Sequence, residues 1–430
     1  MNLRDKIWEI HDYIATSYYV NHPNMKLGDQ IGIDVIIFLL ACGVMKKNIL
    51  LTGNYGLGKT SSAQAVASVL YSLPLEIVKE SVVYGHPHLT EEKIVGRLDF
   101  SKISSEEKVI FSFFSQIPSI KIIDELNRIP EGTQNMLLNS VESGNFIYLN
   151  DSISGDKYPF VATANYRDEG NTDIVPPLLD RFDVSVEVKY PSYFGSAIKE
   201  TQKNKKLLEN KQLAKHLAEI FRSQDDYSNK IEKINLLKDQ FSELNSIALN
   251  GSELDKIYDV VSIFKFTLKA ELLISSFFDY MNSVLKIKGN SRSNHNEKYL
   301  FNEIKNNFSV RSSVESIISI SKFISFMAGE NEVSVDTVLL TLPYVLIHRT
   351  EFTDSKISIS EDFSADSYMM FRVKKLVTEF YNREFVQNYE LIENLYSSLK
   401  SADLDNFISK YGASDNPLVK RLKSVYLNVK

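Results

Sequence analysis

Short apolar runs punctuate the first half of the chain. Asn48-Ile49-Leu50-Leu51, Leu75-Glu76-Ile77-Val78, Ile120-Lys121-Ile122-Ile123, Phe160-Val161-Ala162-Thr163 and Val184-Ser185-Val186-Glu187-Val188 are each of strand length. Stretches with helical spacing separate them. Apolar strands alternating with helices predict a parallel sheet covered on both faces. The most apolar segment, Ile31 to Leu51, carries Asp34, Lys46 and Lys47. A spanning helix needs about 20 nearly uncharged residues, so this segment reads as a buried helix followed by a buried strand.

After Pro191 the texture changes. From 196 to 350 proline is nearly absent and apolar residues recur at helical spacing, as in Ile231, Ile234, Leu237, Phe241 and Leu244. Such a stripe predicts helix packing rather than a cofactor box. Lys288-Gly289-Asn290-Ser291-Arg292-Ser293-Asn294-His295-Asn296 is a polar break, expected as an exposed loop. Helical patterns resume at Val310 and run to the end. Four segments are therefore expected: a helical lead-in over 1–30, an α/β core over 31–192, a helical domain over 193–350, and a helical extension over 351–430.

A length of 430 residues suits two or three domains. The 25 Phe and 22 Tyr argue against wholesale disorder. A net charge of −6 speaks against a general nucleic-acid coat. One cysteine, Cys42, excludes an intrachain disulfide, and His86 and His88 read as incidental loop residues rather than a zinc site. The opening Met1-Asn2-Leu3-Arg4-Asp5-Lys6 has no signal-peptide core. A cytoplasmic protein with no membrane association is expected.

One motif carries definite chemistry. Gly53-Asn54-Tyr55-Gly56-Leu57-Gly58-Lys59-Thr60 fits G-x-x-x-x-G-K-[ST], with a strand before it and a helical run to about Tyr71 after it. Glycines let the backbone turn tightly and aim N–H groups at phosphates. The helix N-terminus adds positive partial charge. Lys59 is expected to reach the β and γ phosphates of ATP and Thr60 to offer its hydroxyl to Mg²⁺. Ser61 is counted with the nucleotide-binding residues. Asp124-Glu125 closes the apolar run Ile120 to Ile123. Asp124 would hold Mg²⁺ and Glu125 would polarise water; a solvated strand end is the bland alternative, weakened by the upstream loop.

Three further residues suit hydrolysis. Asn165 follows a strand and could orient water, or be a turn asparagine. Arg181, in Leu178-Leu179-Asp180-Arg181-Phe182-Asp183, could stabilise transition-state charge, or pair with Asp180 or Asp183. Arg311 opens a helical run and, by pattern alone, is an ordinary helix-start arginine.

In this order the motifs resemble those of AAA+ ATPases, and more closely the MoxR family. Asp124-Glu125-Leu126-Asn127-Arg128-Ile129-Pro130 is similar to D-E-I-N-R-A-P. Thr133-Gln134-Asn135-Met136-Leu137-Leu138-Asn139-Ser140-Val141-Glu142 is similar to T-Q-x-x-L-L-x-x-M-E. Ala162-Thr163-Ala164-Asn165 resembles the sensor-1 segment, Leu179-Asp180-Arg181-Phe182 the L-D-R-F motif, and Tyr190-Pro191-Ser192 the Y-P-S that follows. Leu342-Pro343-Tyr344-Val345-Leu346-Ile347-His348-Arg349 resembles P-x-V-L-x-H-R. Tyr55 and Tyr166 depart from family prolines without removing a catalytic group. Against this resemblance the helical domain over 193–350 is longer than expected, which implies an insertion or extra helices near 225–265.

The resemblance implies an AAA+ P-loop core with an α-helical lid and extra C-terminal helices, acting as an ATP hydrolase. It makes Asn165 sensor 1, Arg181 the candidate arginine finger and Arg311 sensor 2. It further implies an insertion over Pro87 to about Phe100, a hairpin from Asn145 onward, and a homo-oligomeric, hexameric ring acting on a protein client. A partner with a von Willebrand factor A domain is expected by analogy. A magnesium-chelatase-type motor subunit is a variant of this reading; a DNA-acting AAA+ motor and a non-hydrolysing nucleotide-binding scaffold are the alternatives. The acidic charge speaks against the DNA-acting motor, and the intact Glu125, Asn165 and Arg181 speak against the scaffold.

Overall fold

A computed structural model describes residues 2–17, 25–27, 31–98, 109–149, 151–153, 156–165, 172–189, 205–223, 225–288, 304, 308–352, 365–401, 404–414, 416–420 and 422–423. The chain divides into two compact units, one of residues 1–263 with 326–329, the other of 264–325 with 330–430.

The first unit opens with α1 (Leu3–Ser17) and the short antiparallel pair β1 (Met25–Leu27) and β2 (Ile31–Ile33). All eleven residues of α2 (Val35–Met45) are buried, as expected of a helix apolar on every side. Asp34 Oδ1 accepts the Ile37 N–H at 3.0 Å, capping its start. His11 on α1 places Nε2 2.9 Å from the other Asp34 oxygen and Nδ1 3.0 Å from Asp12. That network fastens α1 to the start of α2.

Five strands form the central sheet: β3 (Ile49–Thr52), β4 (Val83–Tyr84), β7 (Lys121–Asp124), β10 (Phe160–Ala164) and β11 (Val184–Glu187). Their order is β11-β3-β10-β7-β4, and every pairing is parallel. Leu50 lies opposite both Ala162 and Ser185, so the strand ends are aligned. Helices α3 (Lys59–Tyr71), α4 (Leu75–Glu80) and α7 (Glu131–Ser143) lie in the crossovers. Phe114, Phe146 and Phe160 stack edge to face or parallel in the core.

Four of the five expected strands form. The fifth, Leu75 to Val78, is helical as α4, and its place in the sheet is taken by the two-residue β4. Pro74 in extended conformation precedes α4, and Glu76 lies in its first turn, both helix-start features. Leu75, Ile77 and Val78 are buried from that helix, so an apolar run too short to show a period gave the wrong state.

Two small hairpins stand beside the core, β5 (Gly96–Leu98) with β6 (Val109–Phe111), and β8 (Phe146–Tyr148) with β9 (Asp151–Ile153). The Val109 N–H donates to Asp151 Oδ2 at 3.0 Å, joining them. The expected insertion after Pro87 contains the four-residue α5 (Glu91–Ile94) and β5, with positions 99 and 100 outside the described residues. Beyond the sheet, α9 (Lys211–Arg222), α10 (Tyr227–Leu244) and α11 (Gly251–Ser262) cluster with this unit. Lys230 on α10 donates to Gln116 Oε1 at 2.9 Å.

The second unit is helical: α12 (Leu268–Lys288), a π-helical turn (Arg311–Ser316), α13 (Ile317–Ala328, whose last residues cluster with the first unit), α14 (Val335–Leu346), α15 (Ala365–Glu379), α16 (Tyr389–Ser401) and α17 (Leu404–Tyr411). Phe277, Phe278, Phe308 and Phe380 pack together at its centre. Lys288, the first residue of the expected polar loop, instead ends α12, and the rest of that loop, Gly289 to Asn296, lies outside the described residues, as do Tyr166 and Tyr190-Pro191-Ser192. Among the described residues no helix is long and apolar enough to cross a membrane.

Candidate nucleotide site

Parallel alignment brings the C-terminal ends of β3, β7 and β10 side by side, and the polar residues that follow each strand therefore meet. This is where open α/β sheets place ligands. From β3 the chain turns through Gly53, whose φ of 131° is closed to other residues and whose missing Cβ would collide with the Val188 carbonyl. It reaches α3 at Gly58, with φ 77° and no side-chain cap on the helix. The first N–H groups of α3 thus lack a side-chain acceptor, which suits an anion. Tyr55 in the loop is 81% exposed and Leu57 is buried.

Lys59 is buried at the centre. Its Nζ donates to the Gly53 and Asn54 carbonyls, both at 2.7 Å, and to Asn165 Oδ1 at 2.8 Å. Burial lowers its pKa to about 8, against the opposing pull of Asp124 and Glu125. The ammonium is therefore short of counter-charge, and a polyphosphate would supply it.

Asp124 ends β7. Its Oδ1 accepts from the Thr60 and Thr163 hydroxyls, each at 2.5 Å. Thr60 and Asp124 thereby set two hard oxygen donors together, the chemistry that Mg²⁺ takes. The Glu125 N–H donates to Thr163 Oγ1 at 2.9 Å. Glu125 itself has φ 57°, the left-handed region, which for a residue with a Cβ stores about 1 kcal/mol or more. Its Oε1 accepts from Asn165 Nδ2 at 2.7 Å, and its Oε2 lies 3.3 Å from Arg128 Nε. Asn127 Nδ2 donates to the Asn165 carbonyl at 3.0 Å.

Five expected residues are thus in one connected network: Lys59, Thr60, Asp124, Glu125 and Asn165. Arg181 is bonded elsewhere. Its Nη2 donates to Glu142 Oε2 at 2.7 Å and its Nη1 to the Pro177 carbonyl at 2.8 Å. The ion-pair partner is Glu142 of α7, in place of the sequence-local Asp180 or Asp183. Arg311 begins the π-helical turn of the second unit. Ser61 is exposed one residue along α3. Sequence reasoning did not single out Thr163, Asn127 or Arg128 for a role.

Residues 48–182 match the family model described as AAA domain (dynein-related subfamily). The core has the AAA fold. Among solved structures, a Cytophaga hutchinsonii protein described as a "putative ATPase" matches with a TM-score of 0.55 and 16% identity, over 87% of this chain and 94% of that one. That likeness speaks to fold, and it extends through the helical unit. No curated protein sequence matches the chain.

Proposed function

We propose that this chain is a MoxR-like AAA+ ATPase that binds and hydrolyses ATP with Mg²⁺ in a ring oligomer, and uses the cycle to remodel or mature client proteins. The carrying observation is the single network that joins Lys59, Thr60, Asp124, Glu125 and Asn165 by way of the Thr163 hydroxyl. Gly53 to Ser61 would wrap the triphosphate through backbone N–H groups. Lys59 would exchange its carbonyl partners for phosphate oxygens. Thr60 and Asp124 would hold Mg²⁺, which supplies charge neutralisation on the β and γ phosphates when bound. Glu125, held by Asn165, would orient and polarise the attacking water. Asn165 touches both Lys59 and Glu125, so it would report γ-phosphate to Glu125.

Arg181 would complete the site of a neighbouring copy, which requires head-to-tail contact and, when closed, a ring. Arg311 would act as sensor 2 from the helical unit. The β8–β9 hairpin supports a polypeptide client over DNA. Its residues Ile147 and Leu149 are 57% and 55% exposed, and phosphate contacts would call for lysine or arginine instead. A von Willebrand factor A domain protein remains the expected partner by resemblance.

The test is steady-state turnover with Mg²⁺-ATP against protein concentration, with light scattering to report assembly. Turnover should rise cooperatively with assembly. Glu125→Gln and Arg181→Ala should bind ATP and assemble, yet lose about 100-fold or more in rate. A wild-type chain that binds ATP as a monomer and never turns it over would overturn the motor reading and favour a nucleotide-binding scaffold.

A further inference from the structure

Asn48 stands immediately before β3 and is completely buried. It has no part in the polar network at the far end of that strand. Its Nδ2 donates to the Arg181 carbonyl at 2.9 Å and to the Val141 carbonyl at 3.3 Å. Its Oδ1 accepts the Phe160 N–H at 3.0 Å. Its own N–H donates to Asp183 Oδ2, and its carbonyl accepts the Asp183 N–H, both at 2.8 Å. One residue thereby ties together β3, the start of β10, the end of α7 and the turn that carries Arg181.

Val141 directly precedes Glu142, the carboxylate that Arg181 grips. The Asn48 amide therefore holds the backbone on both sides of the Arg181–Glu142 ion pair. That pair reaches the surface, with Glu142 48% and Arg181 21% exposed. Arg181 Nε is buried without a partner, whereas Nη1 and Nη2 each use one N–H on the Pro177 carbonyl and Glu142, which leaves a second N–H on each for an incoming acceptor. An unsupported arginine side chain samples many rotamers, and a misplacement of about 1 Å can cost about 100-fold in rate. A buried amide serving two carbonyls, one beside each member of the pair, is a means of avoiding both.

We propose that Asn48 and Glu142 are positioning residues that preset Arg181 as a donor to the nucleotide bound by a second copy of the chain. The inference rests on the reading of Arg181 given above. It makes the strand that leads into the phosphate loop of one copy the support for the neighbour's chemistry.

Complementation in mixed rings tests it. Asn48→Ser and Glu142→Ala should each lower kcat about tenfold or more and leave ATP affinity unchanged. Glu125→Gln is dead in its own site but carries an intact Arg181. Mixing it with Asn48→Ser or with Glu142→Ala should give turnover above the sum of the separate rates, because the Glu125→Gln copy supplies a well-held arginine. Mixing Glu125→Gln with Arg181→Ala is the control for the underlying reading. Rescue in the control but not with Asn48→Ser or Glu142→Ala would overturn the positioning role and spare Arg181. No rescue in the control would remove both. Glu142 is half exposed, so its variant should fold. An Asn48→Ser chain that fails to fold would assign Asn48 to the scaffold and count against its part in the proposal.

Discussion

Lys59 and Lys121 are both buried lysines, 6% and 3% exposed, at opposite ends of the same parallel sheet. At the C-terminal end, Lys59 has two carboxylates within electrostatic reach and an amide and two loop carbonyls as partners. At the N-terminal end, Lys121 donates to the carbonyls of Phe114, Ser115 and Ile117 at 2.8, 3.1 and 2.5 Å. It also sits over the rings of Phe146 and Tyr158, at 5.2 and 5.7 Å. Burial pushes its pKa well below the ordinary lysine range, with no carboxylate to oppose it. The first lysine has partners that a ligand can replace. The second closes the end of a short helical turn and is walled in by aromatic rings. Burial alone does not mark a site; exchangeable partners beside opposite charge do.

The comparison can be broken most decisively by paired substitutions. Lys59→Met should weaken ATP binding about 1000-fold, equivalent to about 4 kcal/mol of charged hydrogen bonds. Its melting point without nucleotide should stay near wild type. Isothermal titration and thermal denaturation measure both; retained ATP binding would sink the assignment. Lys121→Met should do the reverse. Three carbonyls lose their donor at about 1 kcal/mol each, so stability should fall by about 3 kcal/mol. ATP affinity per folded molecule should not change.

A subtler difference lies in protons. Lys59 releases its proton near pH 8 in the nucleotide-free protein. A bound triphosphate would restore it, so ATP binding should take up a proton above about pH 8 and weaken as pH rises further. Calorimetry in buffers of different ionisation heat reads this uptake, and Lys59→Met should abolish it. For stability the group counts oppositely. The unfolded chain keeps this proton to about pH 10.4 while the folded chain loses it near 8, so stability from Lys59 rises with pH between those values. His11 gives the smallest effect. Burial pulls its pKa down, but hydrogen bonds and charge from Asp34 and Asp12 outweigh that and leave it raised. Its contribution to stability should be full below about pH 6.5 and fade as pH climbs through the folded value. His11→Gln should flatten that limb of a denaturation series.

The half of the candidate site that lies on consecutive residues was legible in the chain. Gly53 to Thr60 and Asp124-Glu125 announce themselves because their chemistry needs fixed spacing and a strand before each. Asn165 was legible for a related reason, a polar residue after an apolar strand. Thr163, Asn48 and Glu142 were not, because their roles come from partners 39 to 135 positions away that only the fold brings near. The sheet was read from its continuous apolar strands. It failed at Leu75 to Val78, where four residues fit either period, and at β4, where two residues are too few to show any.

Glu125 bends into the left-handed region to aim its carboxylate at Asn165. Asparagine and glycine would occupy that backbone more comfortably. A library of variants screened by heat alone should therefore drift away from glutamate at this position, and the same library screened by turnover should restore it. The two winners would read out, at a single residue, the conflict between a restful fold and a working one.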